Sequence, residues 1–399
     1  MPGPPELGPL GVFRRFLRFG LLAWGGPVAQ IAMVRRALVD EERWISQERF
    51  NRVLAVYQAL PGPEAHELCV YLGRLTAGTA GGLAAGLGFM LPGLLGILAL
   101  SWAYVRLGLD VAGLAGPLLG AQAAVLALVA RGVADIGRHA LTSPVLWVVA
   151  LATLAGDLAG AHFAILLLGA GVVGALASRR WWWWTVAAAA LVAATVAFVP
   201  GLRSAEVLAS IPAGAPGPSP RMSELLAAGL ATGLLTFGGA YTAVPILRDA
   251  AVGPAGWLST RQFLDGIALG GLLPAPLIIF STFVGYLGGG LAGALLVTAA
   301  VFAPAFAFSL VGFGTLERLV ADERLHSFFD GVTAGVVGVI AATTIELVPS
   351  VLDSALRVGI ALGALVILLS SHRRAAVPLV VLGGGLVGWL GVVATGPGG

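Results

Sequence analysis

Residues 44–92 read WISQERFNRVLAVYQALPGPEAHELCVYLGRLTAGTAGGLAAGLGFMLP, and residues 257–304 read WLSTRQFLDGIALGGLLPAPLIIFSTFVGYLGGGLAGALLVTAAVFAP. At the offset that carries Trp44 onto Trp257, Ser46 meets Ser259, Phe50 meets Phe263, Pro61 meets Pro274 and Pro63 meets Pro276. One deleted residue resets the register, after which Gly73 aligns with Gly285, Gly78 with Gly290, Gly81 with Gly293 and Pro92 with Pro304. Upstream, GLLAWGG at 20–26 faces GLLTFGG at 233–239. An ordered series of this length marks an internal duplication.

The solvent of this chain is lipid. Hydrophobic residues make up 58% and charged residues 11% of 399 positions, with a mean hydropathy of +0.94, too apolar for an ordinary soluble surface. At roughly 20 apolar residues per crossing there is room for about a dozen helices. The apolar runs are continuous and lack the alternation of a membrane barrel, so the predicted class is an all-α polytopic membrane protein. The basic N-terminus precedes an apolar segment with no small-residue cleavage site, so no removable signal peptide is read. Cys69 is the single cysteine and no intrachain disulfide can form. Nothing in the composition points to nucleic acid.

The first predicted span, 11–33, is interrupted at Gly25-Gly26-Pro27, and the interruption recurs at Gly238-Gly239. Residues 35–52 carry charges of both signs and read as a solvated loop. From Ser46, a predicted N-cap, an amphipathic helix places Phe50, Val53, Leu54 and Tyr57 on one stripe and stops at Pro61-Gly62-Pro63. A new helix begins at Pro63 and runs to about Thr76, followed by a glycine-rich span, 78–104, with a kink expected at Pro92. Further spans are predicted at 111–133, 144–158 and 161–177. In the second half they fall at 222–247, 259–273, 276–285, 289–311, 327–348, 353–369 and 375–393. Four tryptophans, Trp181 to Trp184, open an additional helix to about Val199 and read as an interfacial anchor. The expected organisation is a first repeat over 1–178, a connecting Trp-rich helix and Pro/Gly linker over 179–221, and a second repeat over 222–399.

Two topologies fit. If the segment around Pro61 crosses the bilayer, each half has six crossings, the connector makes a seventh, and the repeats are inverted. If it returns to its own side, the repeats are parallel. The loop 35–52 holds five arginines and its counterpart 248–261 only two, an asymmetry that favours inversion.

A helix broken at membrane depth leaves backbone groups that only protein or a watery cavity can satisfy. The breaks therefore mark an interior site, and the fresh helix N-terminus after Pro63 presents N–H groups and partial positive charge to it. The ligand this predicts is an anion; carboxylate, phosphate, sulfate and chromate would all fit. The candidate binding residues are Gly25, Gly26, Pro27, Pro61, Gly62 and Pro63 from the first half, and Gly238, Gly239, Pro274, Pro276, Ser281 and Thr282 from the second. Glu64, His66 and Glu67 follow the first break. As ionisable groups at membrane depth they are functional candidates, here for proton coupling, although a glutamate in a first turn equally complements the helix dipole. His66-Glu67 begins like a zinc-protease motif, but Val70 stands where the second histidine belongs. Glu346, Asp157 and His162 are weaker candidates at helix ends, and Asp265 is expected near a loop or as a polar group on a helix surface. No phosphate-binding loop or cofactor fingerprint is present, so neither a cofactor nor ATP-driven transport is expected.

The blocks WGGPVAQ, RWISQERF, QALPGPEAHELCVYLGRLTAG and GFMLPG, with TFGGAYTAVP, GWLSTRQF and GLLPAPLIIFSTFVGYLGGGLAGA in the second half, closely resemble the two-domain chromate transporter family. The resemblance covers nearly the whole chain. It implies an inner-membrane protein, not an enzyme, that exports chromate by ion-motive force or anion exchange through two oppositely oriented halves. By position, Gly25, Gly26, Pro27, Pro61, Gly62 and Pro63 match its first-half motifs, and Gly238, Gly239, Pro274 and Pro276 its second. Three departures stand out: Gln30 where the family often has His, Ala275 in place of the middle glycine of the second PGP, and the charges at Glu64, His66 and Glu67. Sulfate is chromate's near twin in shape and charge, so a sulfate carrier stays open on sequence alone, as do an integral membrane enzyme acting on lipid, a channel, and assembly as a homo-oligomer.

Overall fold

The fold is that of a computed structural model, which describes residues 5–107, 115–177, 219–237, 239–253, 256–311, 323–371 and 375–395. Among the described residues there are helices and no strand. The first half contributes α1 (Pro9–Leu21), α2 (Gly26–Arg35), α3 (Gln47–Ala59), α4 (Glu64–Leu107), α5 (Ala115–Ala140), α6 (Pro144–Leu158) and α7 (Phe163–Ala177). The second contributes α8 (Met222–Leu235), α9 (Ala243–Val252), α10 (Thr260–Gly271), α11 (Phe280–Val311), α12 (Glu323–Val351), α13 (Ala355–Ser370) and α14 (Ala376–Thr395). Each helix of one half has a counterpart in the other at the offset read from the sequence. The expected Trp-rich connecting helix lies outside the described residues.

The same chemistry starts equivalent helices. Ser46 accepts a hydrogen bond from the Arg49 N–H at the head of α3, and Ser259 forms a full capping box with Gln262 at the head of α10. Phe50, Val53 and Tyr57 of the α3 stripe are fully buried. The segment after α2 departs from the solvated loop expected of it. It continues as a π-helical turn over Arg36–Glu41, Trp44 and Ile45 are buried, and Arg15 of α1 pairs with Glu42.

Two long helices are in fact hairpins. In α4 the backbone leaves helical geometry at Ala77 (φ −140°, ψ 33°) and Gly78 (φ 60°, ψ −152°). In α11 it does so at Gly289 (φ −153°, ψ 25°) and Gly290 (φ 61°, ψ −151°), the same turn at the aligned position. Beyond it the chain doubles back. A methyl group on Gly73 would lie 2.5 Å from the Gly81 carbonyl, and one on Gly285 2.5 Å from that of Gly293, whereas eight residues of straight helix span ~12 Å. Pro92, where a kink was expected, sits within helical backbone.

The halves are interlocked. The hairpins α4 and α11 pack on each other, with α1 against α4 and α8 against α11. The central helices α5 and α12 also touch, and each is then clasped by the other half: α13 and α14 pack on α5, and α6 and α7 on α12. Every residue of α5 from Ala123 to Val129 is buried, as an innermost helix requires. Small residues allow the clasp to close, since a methyl on Gly120 would fall 2.0 Å from the Gly384 carbonyl of α14. Outward-facing Trp147, Leu168, Val366 and Leu379 are exposed, apolar surface suited to lipid. Among the described residues five helices are long and apolar enough to cross a membrane, and the chain is a multi-pass membrane protein.

Candidate functional site

Four interruptions of helical structure meet between the halves. α1 ends at Leu21, and α2 starts at Gly26, with Gly25 as its N-cap, both glycines at positive φ (97° and 78°). α8 ends at Leu235, and after Gly239 (φ 114°) a single 3-10 turn, Ala240–Thr242, leads into α9. A methyl on Gly26 would sit 3.7 Å from the Tyr241 hydroxyl, and one on Gly239 3.9 Å from Cγ of Pro27. The two glycine breaks therefore face each other. Gly238 lies outside the described residues.

The proline loops complete the cross. The Gly62 N–H of Pro61-Gly62-Pro63 donates to the Thr236 carbonyl at 2.7 Å, so the first Pro loop is bonded to the second glycine break. Conversely, the Trp24 indole N–H reaches the Leu272 carbonyl at 3.4 Å, joining the first glycine break to the turn that leads into Pro274-Ala275-Pro276. A methyl on Gly93 would lie 2.2 Å from the Ala275 side chain, which seats the second Pro loop on α4. Gln30, buried, donates through Nε2 to the Ala23 carbonyl at 2.8 Å and so holds a carbonyl freed by the break in α1.

The ionisable candidates are all buried at the start of α4. Glu67 folds back beneath the loop, where a methyl on Gly62 would come within 2.7 Å of its Oε1. Among the described residues, neither carboxyl oxygen of Glu67 has a hydrogen-bond partner. Glu64 lies close enough to interact electrostatically with Glu67. His66 points the other way, its ring edge-on to Phe302 and Phe306 of α11 with centroids 5.0 and 4.8 Å apart. In the second half, Thr282 shares a 2.7 Å hydrogen bond with Thr298 across the α11 hairpin. The buried Ser281 hydroxyl has no partner among the described residues.

Of the weaker candidates, Glu346 pairs with Arg248, and His162 stands 3.8 Å from Asp249. The first contact lies within the second half, and the second joins the two halves. Asp265 departs from expectation: it is not on a helix surface but fully buried. The half-exchange explains this, because α10 packs against α5 and α4 of the first half. Its partners there, Tyr104 and Gln122, were missed by sequence reasoning, since nothing local ties residues so far apart in the chain. Among the described residues no three His, Cys, Asp or Glu side chains gather as metal ligands would.

The sequence profile described as "Chromate transporter" matches residues 10–215 and again 223–389. The chain is 49% identical over 391 residues to a chromate transport protein of Pseudomonas aeruginosa, covering 97% of this chain and 93% of the relative. It is 31% identical to a chromate transport protein of Cupriavidus metallidurans, over 94% of this chain and 90% of the relative. No solved structure matches. With both halves matched by the profile and relatives aligned almost end to end, the chain belongs to the chromate transporter family.

Proposed function

We propose that this protein is a secondary-active transporter that carries chromate out of the cell across the inner membrane, binding the dianion where the four breaks meet. The observation that carries the reading is the crossed bonding: each half's proline loop is tied to the other half's glycine break. A rocking of one half against the other must then remake those contacts, which is what alternating access at a midplane site needs. The first turns of α2 and α4 supply unpaired N–H groups and positive dipole ends for an oxyanion. Gly25, Gly26, Pro27, Pro61, Gly62, Pro63, Gly239, Pro274 and Pro276 shape the backbone, and Ser281 offers a free hydroxyl. A dianion and a carboxylate at one helix N-terminus repel each other, so binding is linked to protonation of Glu67, with Glu64 and His66 beside it.

The test is flux in proteoliposomes, with chromate on one side, a pH gradient imposed or absent, and sulfate on the opposite side. Gradient-dependent chromate movement that is lost in Glu67→Gln is the expected result. Sulfate movement without chromate movement would keep the site and replace the substrate. No movement of either anion would overturn transport and direct attention to enzymatic turnover.

A further inference from the structure

Asp265 is a second buried carboxyl, remote in sequence from the breaks, and its surroundings differ from those of Glu67. Its Oδ1 accepts a hydrogen bond from Gln122 Nε2 at 2.8 Å, and its Oδ2 lies 2.8 Å from the Tyr104 hydroxyl. Asp265 belongs to the second half; Tyr104 on α4 and Gln122 on α5 belong to the first. On α11, Phe283 packs edge-on to the Tyr104 ring, centroids 4.9 Å apart, and closes the site on its apolar side. The charged group that acts on Asp265 is Arg261, one turn earlier on the same helix. Among the described residues of α9 and α14, which also pack on α10, none acts electrostatically on it.

Such a pair of partners is unusual for a carboxylate that serves only as a structural anchor, because neither is a cation. A tyrosine hydroxyl can donate or accept. With the carboxylate ionised, Tyr104 donates to Oδ2; with Oδ2 protonated, Asp265 donates to the Tyr104 oxygen. Gln122 donates to Oδ1 in both states. Both carboxyl oxygens therefore keep a partner whether or not the proton is present, and the change between states turns the Tyr104 O–H away from Asp265. Position adds the second element. α10 ends at Gly271 and delivers Pro274 and Pro276, so a change of charge at Asp265 acts on the helix that holds the second proline loop.

We infer that Asp265, with Tyr104 and Gln122, forms a proton-binding site whose occupancy moves α10 and the Pro274–Pro276 loop against the first half. As a source of coupling to anion movement this rests on the transport reading above. The step is a simple proton transfer: a proton taken from one side binds Oδ2, Tyr104 turns from donor to acceptor, and release to the other side reverses both.

Two measurements test it on the full-length protein. In reconstituted membranes, infrared difference spectra recorded against pH report the carboxyl C=O stretch directly. A titrating band is expected in the wild type, absent in Asp265→Asn and shifted along the pH axis in Tyr104→Phe. Asparagine keeps a hydrogen-bond partner for both neighbours, so thermal unfolding of that variant controls for folding. In proteoliposomes, Asp265→Asn is expected to lower pH-gradient-driven chromate accumulation by about tenfold, the size of a typical coupling factor, and to flatten its dependence on internal pH. A wild type without a band removed by Asp265→Asn overturns the proton site. Unchanged gradient-driven accumulation and pH profile in Asp265→Asn overturn its coupling role. A wild type that shows the band but moves no chromate overturns the transport reading and leaves the proton site standing.

Discussion

At Gly62 the geometry of the site depends on a single missing methyl. Its φ of 148° is disfavoured for any residue with a Cβ, and the Glu67 carboxyl occupies the place where that Cβ would go. Gly62 thus lets the loop donate to Thr236 and lets Glu67 tuck under it at the same time. Gly62→Ala must both strain the backbone, about 1–3 kcal/mol, and push Glu67 aside. Chromate transport in that variant is expected to fall by about tenfold or more while the protein still reaches the membrane. Wild-type uptake kinetics in Gly62→Ala would show that neither the loop geometry nor the position of Glu67 matters. Pro63→Ala tests the helix start alone, since it frees φ without crowding Glu67, and a smaller loss is expected. These residues were legible in the sequence because the prolines flanking Gly62 recur at Pro274 and Pro276, and proline and glycine have few structural uses at such breaks. The direction in which Glu67 points was not, because three-residue spacing fixes a helix face but not what lies opposite it.

Among the elements, the two hairpins make the duplication a physical statement. Gly78 and Gly290 adopt φ near 60° and ψ near −150°, and a methyl group on either would meet nothing within 4 Å. Substitution at these two positions therefore tests backbone strain with almost no packing component. Gly78→Ala and Gly290→Ala should each lower stability by about 1–3 kcal/mol, by similar amounts, read as paired drops in the thermal unfolding midpoint of detergent-solubilised protein. A loss at one position only would mean that the two turns are not equivalent. The helix boundaries themselves were largely readable. The sequence places a break between Thr76 and Gly78, and the chain turns there; it places a helix over 144–158, and α6 spans those residues. Misreadings arose where tertiary contact overrides local pattern. The charges of 35–52 look solvated, yet Trp44 and Ile45 are buried. The predicted end at Val133 falls short because Arg131 and Asp135 pair one turn apart at 3.0 Å and carry α5 on to Ala140.

For the molecule as a whole, the feature no local pattern could reveal is the exchange of helices between halves. Periodicity identifies α5 and α12 as apolar and α6, α7, α13 and α14 as their successors, but not that each central helix is clasped by the successors of the other. The consequence is a specific kind of interdependence. A half on its own would expose the face of α5 that α13 and α14 cover, together with the buried carboxyl partners Tyr104 and Gln122; its counterpart would expose α12 and leave Asp265 without either donor. In lipid, apolar exposure alone is tolerated, but close glycine-mediated packing and interhelical hydrogen bonds have no substitute. Cutting the chain within the Pro/Gly linker expected from the sequence should therefore give two fragments that are unstable apart and stable together. Expressed singly, each is expected to be degraded and to confer no chromate movement. Coexpressed, they should co-purify through a tag on either one and restore flux, because the clasp is made by packing and does not depend on the covalent link. If one fragment alone accumulated as a folded, transporting species, the halves would be self-sufficient units and the crossed bonding of their breaks would lose its role in the transport cycle. If the fragments co-purified without restoring flux, the clasp would stand, and the connector would have to contribute to transport beyond joining the halves.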